Sequence, residues 1–246
     1  MRGEKKNVDR KDFDRLSDCY KPWLRYYTEE AINASLPECT IYEYLWKSNK
    51  DYQSNVALNY FDRKITYGEV FANIDKATIS YSTLGLKSGD IVTVCAVTIP
   101  ETIYSFYGLN RLGVVCNMVD PRTSAEGIRE YIKEVNSKFV ITIDVAYPKI
   151  VKAIKGTTVE KIVVISPADS LRQPKKFLFK AFKATKIPND NLHILWNELV
   201  ANGKNNEPVI ATYEKNTPCV IVHTGGTTGI PKGVILFNDN LNTSAF

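Results

Sequence analysis

Four short apolar runs, Ile91–Val97, Val114–Val119, Phe139–Ile143 and Ile162–Ile165, alternate with stretches of helical periodicity. No other feature of the chain restricts its fold as much. A strand that is apolar at nearly every position must be buried on both faces. Strands of that kind joined by helices pair in parallel through right-handed crossovers, with helices covering both sides of the sheet. The linking segments agree. Pro100 suits the first position of a helix ending near Gly113. Thr123 and Glu126 have capping-box spacing ahead of Ile128, Tyr131, Ile132 and Val135, and Ala146–Ile154 reads as another helix. The expected fold class is α/β, a mostly parallel sheet flanked by helices.

Upstream, Thr40 and Glu43 have the spacing of a capping box that opens a short helix to about Lys50. Val56–Tyr60 and Ile65–Tyr67 flank the polar turn Asp62-Arg63-Lys64, a hairpin pattern. Thr66 and Glu69 open a longer helix whose Val70, Ile74, Ala77, Tyr81 and Leu84 share a face, with Gly85 as its stop. Downstream, Pro167, Pro174 and Pro188 break the pattern over residues 166–190, and Asn202–Pro208 is a polar linker. Strands Cys219–His223 and Val234–Phe237 follow, then a helix starting near Asn240. The expected domains are 1–55, an N-terminal extension with a short helix; 56–213, a parallel α/β subdomain; and 214–246, a strand-loop-strand opening a further subdomain.

Composition narrows the class. With 44% hydrophobic and 24% charged residues among 246, the chain is globular, not disordered, collagenous or a disulfide scaffold. No apolar run approaches the roughly 18 residues of a membrane span. The start, MRGEKKNVDRKDFDR, lacks the apolar core of a secretory signal. None of the five cysteines forms a CxxC pair, and Cys95, Cys116 and Cys219 sit in strand-like runs as core residues. The odd count points to a reducing, cytoplasmic setting. The two histidines, His193 and His223, lack metal-ligand spacing, and His223 reads as a packed strand-end residue. The aromatics of Tyr104–Tyr107 read as helix packing.

Net charge is +5, yet six basic residues with no intervening acid lie at Arg172, Lys175, Lys176, Lys180, Lys183 and Lys186. That leaves 26 basic against 27 acidic residues elsewhere. Such a local patch argues against a nucleic-acid-binding protein, which spreads positive charge over a face. Within it, Lys175–Lys183 is amphipathic, with Lys176, Lys180 and Lys183 on one helical face and Leu178 and Phe182 on another. It can be read as a membrane-surface contact, or as a solvated helix with its aromatics in the core. We take the second, because charge runs are usually solvated faces.

The segment between the last two strands, His223-Thr224-Gly225-Gly226-Thr227-Thr228-Gly229-Ile230-Pro231-Lys232-Gly233, carries the chemistry. A hairpin of small residues is the plain reading, but each residue type also suits a polyphosphate. Glycines let backbone N–H groups converge on anionic oxygens. Threonine hydroxyls add donors, and Lys232 adds positive charge where a leaving pyrophosphate gathers negative charge. Pro231 fixes φ ahead of that lysine. The loop is not a Walker A motif, because Lys232 is followed by glycine and a strand, not by Ser/Thr and a helix.

HTGGTTGIPKGV resembles the signature loop of the adenylate-forming (AMP-binding) superfamily, which includes acyl- and aryl-CoA synthetases, luciferases and adenylation domains. Ile65-Thr66-Tyr67-Gly68-Glu69-Val70, Gly89-Asp90-Ile91-Val92, Pro100-Glu101 and Leu109–Arg122 are similar to further family segments, in family order. The likeness runs from about Thr40 to Phe246 and is nearest in character to fatty acyl-CoA synthetases. It implies that a carboxylate attacks the α-phosphate of ATP to give an acyl-adenylate and pyrophosphate, and that coenzyme A then displaces AMP. It implies that Thr224, Gly225, Gly226, Thr227, Thr228, Gly229 and Lys232 hold the ATP phosphates, with Lys232 as the catalytic candidate. Thr66/Glu69 and Asp120-Pro121 are then structural. Mg2+ is implied too, its ligand expected beyond residue 246. One position departs from the pattern: Asn238 stands where the family often has histidine, which puts any pocket role of that histidine in doubt.

The family's later motifs for adenine, ribose and a mobile lysine are absent from these residues. The chain is therefore expected to be the N-terminal part of a longer acyl-CoA synthetase, inactive alone, with the partners of Leu241 and Phe246 missing. Two alternatives stand beside this: an adenylation module loading a carrier protein, and a naturally truncated, non-catalytic nucleotide-binding or interaction protein.

Overall fold

The computed structural model describes residues 26, 28–183, 185–203, 207–224 and 232–245. The chain divides into two compact units, Met1–Leu36 and Pro37–Phe246. The described part of the first contains one short helix, α1 (Glu29–Asn33), capped by the Thr28 hydroxyl, which accepts from Ala31 N–H.

Both predicted capping boxes form. Thr40 and Glu43 open α2 (Ile41–Asn49), and Thr66 and Glu69 open α3 (Tyr67–Thr83). In each, the threonine Oγ accepts from the glutamate N–H and the glutamate carboxylate accepts from the threonine N–H, satisfying two end donors at once. Between them lies the antiparallel hairpin β1 (Val56–Tyr60) and β2 (Arg63–Thr66). Its turn falls at Phe61-Asp62, both at positive φ, starting one residue earlier than the polar triplet suggested.

The sheet has seven strands: β3 (Ile91–Cys95), β4 (Val115–Met118), β5 (Phe139–Ile143), β6 (Lys161–Ile165), β7 (His193–Leu195), β8 (Pro218–His223) and β9 (Gly233–Phe237). Their spatial order is β7-β6-β5-β3-β4-β8-β9, all parallel except the β8–β9 pair. Intervening helices are α4 (Pro100–Arg111), α5 (Ala125–Glu134), α6 (Tyr147–Ala153), α7 (Lys175–Lys183) and α8 (Trp196–Asn202), and α9 (Asn238–Ala245) follows β9. One apolar cluster joins α3, α4 and α8 to the sheet through Ile74, Tyr81, Leu109, Val92, Ile141 and Trp196. A second joins α5 and α6 through Ile128, Ile132, Ile150, Val140 and Ile162. The sheet is thus covered on both faces, as its apolar strands demand.

Several details differ from expectation. The cap of α5 is Ser124, not Thr123: the Ser124 hydroxyl accepts from Gly127 N–H, while Thr123 N–H is taken by the preceding turn at Asp120. β3 stops at Cys95, the last residue paired to β5. Strand β7 and helix α8 had no counterpart in the sequence reading, because three strand residues are too few to show a period. Helix α9 begins at Asn238, and Leu241 packs against the main core, so it has a partner after all. The 213/214 division does not separate two sheets, since β8 hydrogen-bonds to β4. Leu178 in α7 is exposed, not tucked into the core; Phe182 lies outside the residues whose side chains are described. Among the described residues no helix is long and apolar enough to cross a membrane.

Ile74 is fully buried where α3 meets the sheet and α4. Ile74→Ala should destabilise the chain by about 2–5 kcal/mol through lost burial and a residual cavity. Urea unfolding followed by circular dichroism measures this; a change under 1 kcal/mol would show that the α3 contact is not part of the core.

Candidate functional site

After β3 the chain crosses one face of the sheet to β4; after β4 it crosses the other face to β5, on the far side of β3. The two connections leave in opposite directions, so a crevice opens outside the carboxyl ends of β3 and β4. In open α/β sheets this is where ligands bind. Here it is a cleft of about 800 Å³. Its floor and walls are Ala96–Thr98 after β3, Met118 at the end of β4 and Val119–Thr123 after it, Tyr131 from α5, and Val222, His223 and Thr224 at the end of β8.

The predicted phosphate loop therefore leaves the sheet at this crevice. Thr224 and Lys232 face each other across the β8–β9 pair. Thr224 N–H donates to Lys232 C=O at 3.0 Å, and Lys232 N–H donates to the Thr224 hydroxyl oxygen at 3.1 Å. The Thr224 hydroxyl accepts in this clamp and retains its own proton to donate. Gly233, next in β9, passes so close to β8 that a Cβ there would lie 3.1 Å from Ile221 Cγ2, a contact that favours glycine. Gly225, Gly226, Thr227, Thr228 and Gly229 lie outside the described residues.

The mouth of the cleft is braced on both sides. Asp120 accepts from Arg122 Nε through both carboxylate oxygens, at 3.0 and 2.9 Å, and these bonds hold its carboxyl down at about 2. Lys149 of α6 donates to Pro121 C=O at 2.6 Å. Asp120-Pro121 thus shapes the strand exit, as expected.

A polar network that sequence reading missed lies under the cleft. Asn117 of β4 is fully buried. Its amide nitrogen donates to Thr93 Oγ1 and to Tyr131 C=O, which fixes its Oδ1 as the acceptor. His223 Nε2 lies 2.7 Å from that oxygen and must therefore be the protonated nitrogen. The imidazole stacks on the Tyr131 ring, centroids 3.8 Å apart. Nδ1 is buried with no hydrogen-bond partner among the described residues. The only legible signal was an asparagine inside an apolar strand. His193, by contrast, is held between Asp190 and the Tyr147 hydroxyl at the β7 edge, away from the cleft.

Asn238 is structural. Its Oδ1 accepts from Ile41 N–H at 3.0 Å and from Asn110 Nδ2 at 2.9 Å, tying α9 to α2 and α4. It does not line the cleft.

A second polar group sits at the carboxyl ends of β5 and β6. Glu101 is only 2% exposed; Oε1 accepts from the Ser170 hydroxyl and Oε2 is unpartnered among the described residues. Burial pushes its carboxyl up to about 7. Asp144, also buried and also raised by burial, accepts from the Ser166 hydroxyl at 2.6 Å.

Two measurements follow from these groups. Burial lowers the His223 pKa, so in an NMR titration one of the two imidazoles should titrate below the ordinary value of about 6.5 and show the Nε2–H tautomer. Two ordinary or elevated values would overturn the arrangement. For Glu101 the folded pKa exceeds the unfolded one, so its contribution is fully present below the unfolded value and is lost as pH rises toward 7. Glu101→Gln should therefore remove up to about 3 kcal/mol of the stability that wild type loses between mildly acidic and mildly alkaline pH. Parallel pH profiles of urea midpoints for the two proteins would rule this out.

Comparison with known proteins bears directly on this geometry. The chain is 27% identical over 231 residues to the long-chain-fatty-acid–CoA ligase of Bacillus subtilis (strain 168), covering 90% of this chain and 40% of that protein. It is 31% identical over 176 residues to the acetyl-coenzyme A synthetase of Mycolicibacterium smegmatis, covering 70% of this chain and 18% of that protein. Among solved structures, the anthranilate CoA ligase AuaEII in complex with anthranoyl-AMP superposes with a TM-score of 0.67 at 19% identity, covering 83% of this chain and 36% of that one. The luciferase-like enzyme of the nonluminescent mealworm Zophobas morio superposes with a TM-score of 0.64 at 17% identity, covering 84% and 44%. These two likenesses show the shared fold. The chain spans at most 40% of the length of the two sequence relatives. Residues 45–246 match the model of the AMP-binding enzyme family, and with the glycine–threonine loop leaving the switch-point crevice, the chain belongs to that family.

Proposed function

We propose that the chain is the N-terminal, phosphate-binding part of an ATP-dependent carboxylate–CoA ligase, with a fatty acid as the carboxylate. The observation that carries the reading is the clamp between Thr224 and Lys232 at the carboxyl-end crevice. A nine-residue loop whose ends are hydrogen-bonded together returns on itself, so its glycine N–H groups can converge on one anion. Thr224 adds a hydroxyl donor at the loop's base. Lys232, on the opposite limb, would lie against the β- and γ-phosphates of ATP and stabilise charge on the departing pyrophosphate as a carboxylate oxygen attacks the α-phosphorus. The apolar wall formed by Val97, Met118, Val119 and Val222 suits the nonpolar part of a carboxylate substrate.

Coenzyme A is the proposed thiol acceptor, giving the thioester and AMP. Among the described residues no three His, Cys, Asp or Glu side chains converge to hold a metal ion. We propose that the Mg2+ such a reaction uses is held by the further length found in relatives. The described residues offer the two ends of the proposed phosphate loop and part of the cleft, and we propose that adenylation needs the further length found in relatives.

Calorimetric titration of the 246-residue chain with pyrophosphate tests the loop. Weak binding is expected, about tenfold weaker in Lys232→Ala, because a charge-assisted contact contributes about 1.5 kcal/mol or more. Equal affinities would exclude Lys232 from the phosphate seat. Carboxylate-dependent ATP–pyrophosphate exchange should be absent from this chain alone; exchange above background would overturn that part of the proposal.

A further inference from the structure

We propose that helix α7 and the tip of the β1–β2 hairpin form a docking surface for an anionic lipid bilayer. The sequence alone allowed the apolar residues of this segment to be core; the structure places two consecutive ones outside it. Phe177 is 67% exposed and Leu178 is 51% exposed. Phe61, at the hairpin tip, is 64% exposed. The tip is tied to the first turn of α7 by Lys175, whose Nζ donates to Phe61 C=O at 3.2 Å and to Asp62 Oδ2 at 2.9 Å. That ion pair also neutralises the acid at the tip.

Around these apolar side chains the acid at the tip, Asp62, is paired with Lys175, and the chain from Arg172 to Lys186 carries only basic charge. Arg172, Lys175 and Lys186 are exposed, and no acid occurs between Arg172 and Lys186. The remainder of the chain is close to neutral, so the positive field belongs to this segment. Exposed Phe and Leu on a short helix bordered by Lys and Arg is the composition of a helix lying in a membrane interface. Each basic residue near an anionic surface raises partitioning about fivefold. A second copy of the chain is a poor occupant, since it would bring the same basic segment, with Arg172 and Lys186, face to face. An anionic bilayer supplies both the opposite charge and an apolar layer for Phe177 and Leu178.

Co-sedimentation with vesicles tests this without nucleotide, so its result is independent of the ligase proposal. The 246-residue chain should pellet with phosphatidylcholine vesicles containing phosphatidylserine, not with phosphatidylcholine alone, and high salt should release it. Phe177→Ser/Leu178→Ser should weaken binding about tenfold, and Arg172→Glu/Lys186→Glu by at least about twentyfold. All four positions are exposed, and unchanged urea midpoints would show that the variants fold. Failure to pellet, equal pelleting with both vesicle types, or variants that bind like wild type would each overturn the proposal. So would a dimer in sedimentation velocity that Phe177→Ser/Leu178→Ser dissolves, which would assign the surface to a second copy.

Discussion

Val94, Ile141 and Val163 pack against one set of helices, while Val140, Ile162 and Val164 pack against the other. Neither face of the central sheet can meet water. A parallel sheet in that condition needs helices on both sides, and a chain building outward from β3 must change direction to supply them. The change occurs between β3 and β4. The cleft, the cap of α5 and the exit of the glycine–threonine loop are all placed by that one reversal.

The polar residues inside the sheet sit where the reversal leaves room for them. Asn117 lies between β3 and β8 and bonds to Thr93 on one side and His223 on the other. Its partners form a chain from strand to strand under the cleft, and Tyr131 stacks on the last member. Buried amides of this kind are stable only when satisfied, so the network fixes which way Asn117 and His223 face. It also holds the last residue of β8, and with it the first residue of the loop.

Nucleotide-binding loops commonly run from a strand into a helix, whose N-terminus helps to bind phosphate. Here the chain returns as strand β9, antiparallel to β8, and the loop has a lysine limb instead of a helix end. On the proposed reading, charge at Lys232 and backbone N–H groups do what a helix dipole does elsewhere. The match over residues 45–246 identifies the family, and the geometry shows the segment closed by two antiparallel strands, not by a strand and a helix.

Much of this was legible in the sequence, because period and capping are local. The boxes Thr40/Glu43 and Thr66/Glu69, the stop at Gly85 and the parallel strands follow from residues a few positions apart. The ordered glycines, threonines and lysine of 224–232 pointed to the family in the same way. Strand β7 was not legible, since its pairing to β6 is long-range and three residues carry no period. Nor was the role of Asn238, which lies 197 residues from Ile41, whose N–H it accepts, or the burial of Glu101, which requires Ser170 from another crossover. Local spacing determined the elements and the family likeness of the loop. Only tertiary structure decided which distant residues share a crevice, because strand order across a sheet is set by packing and not by sequence separation.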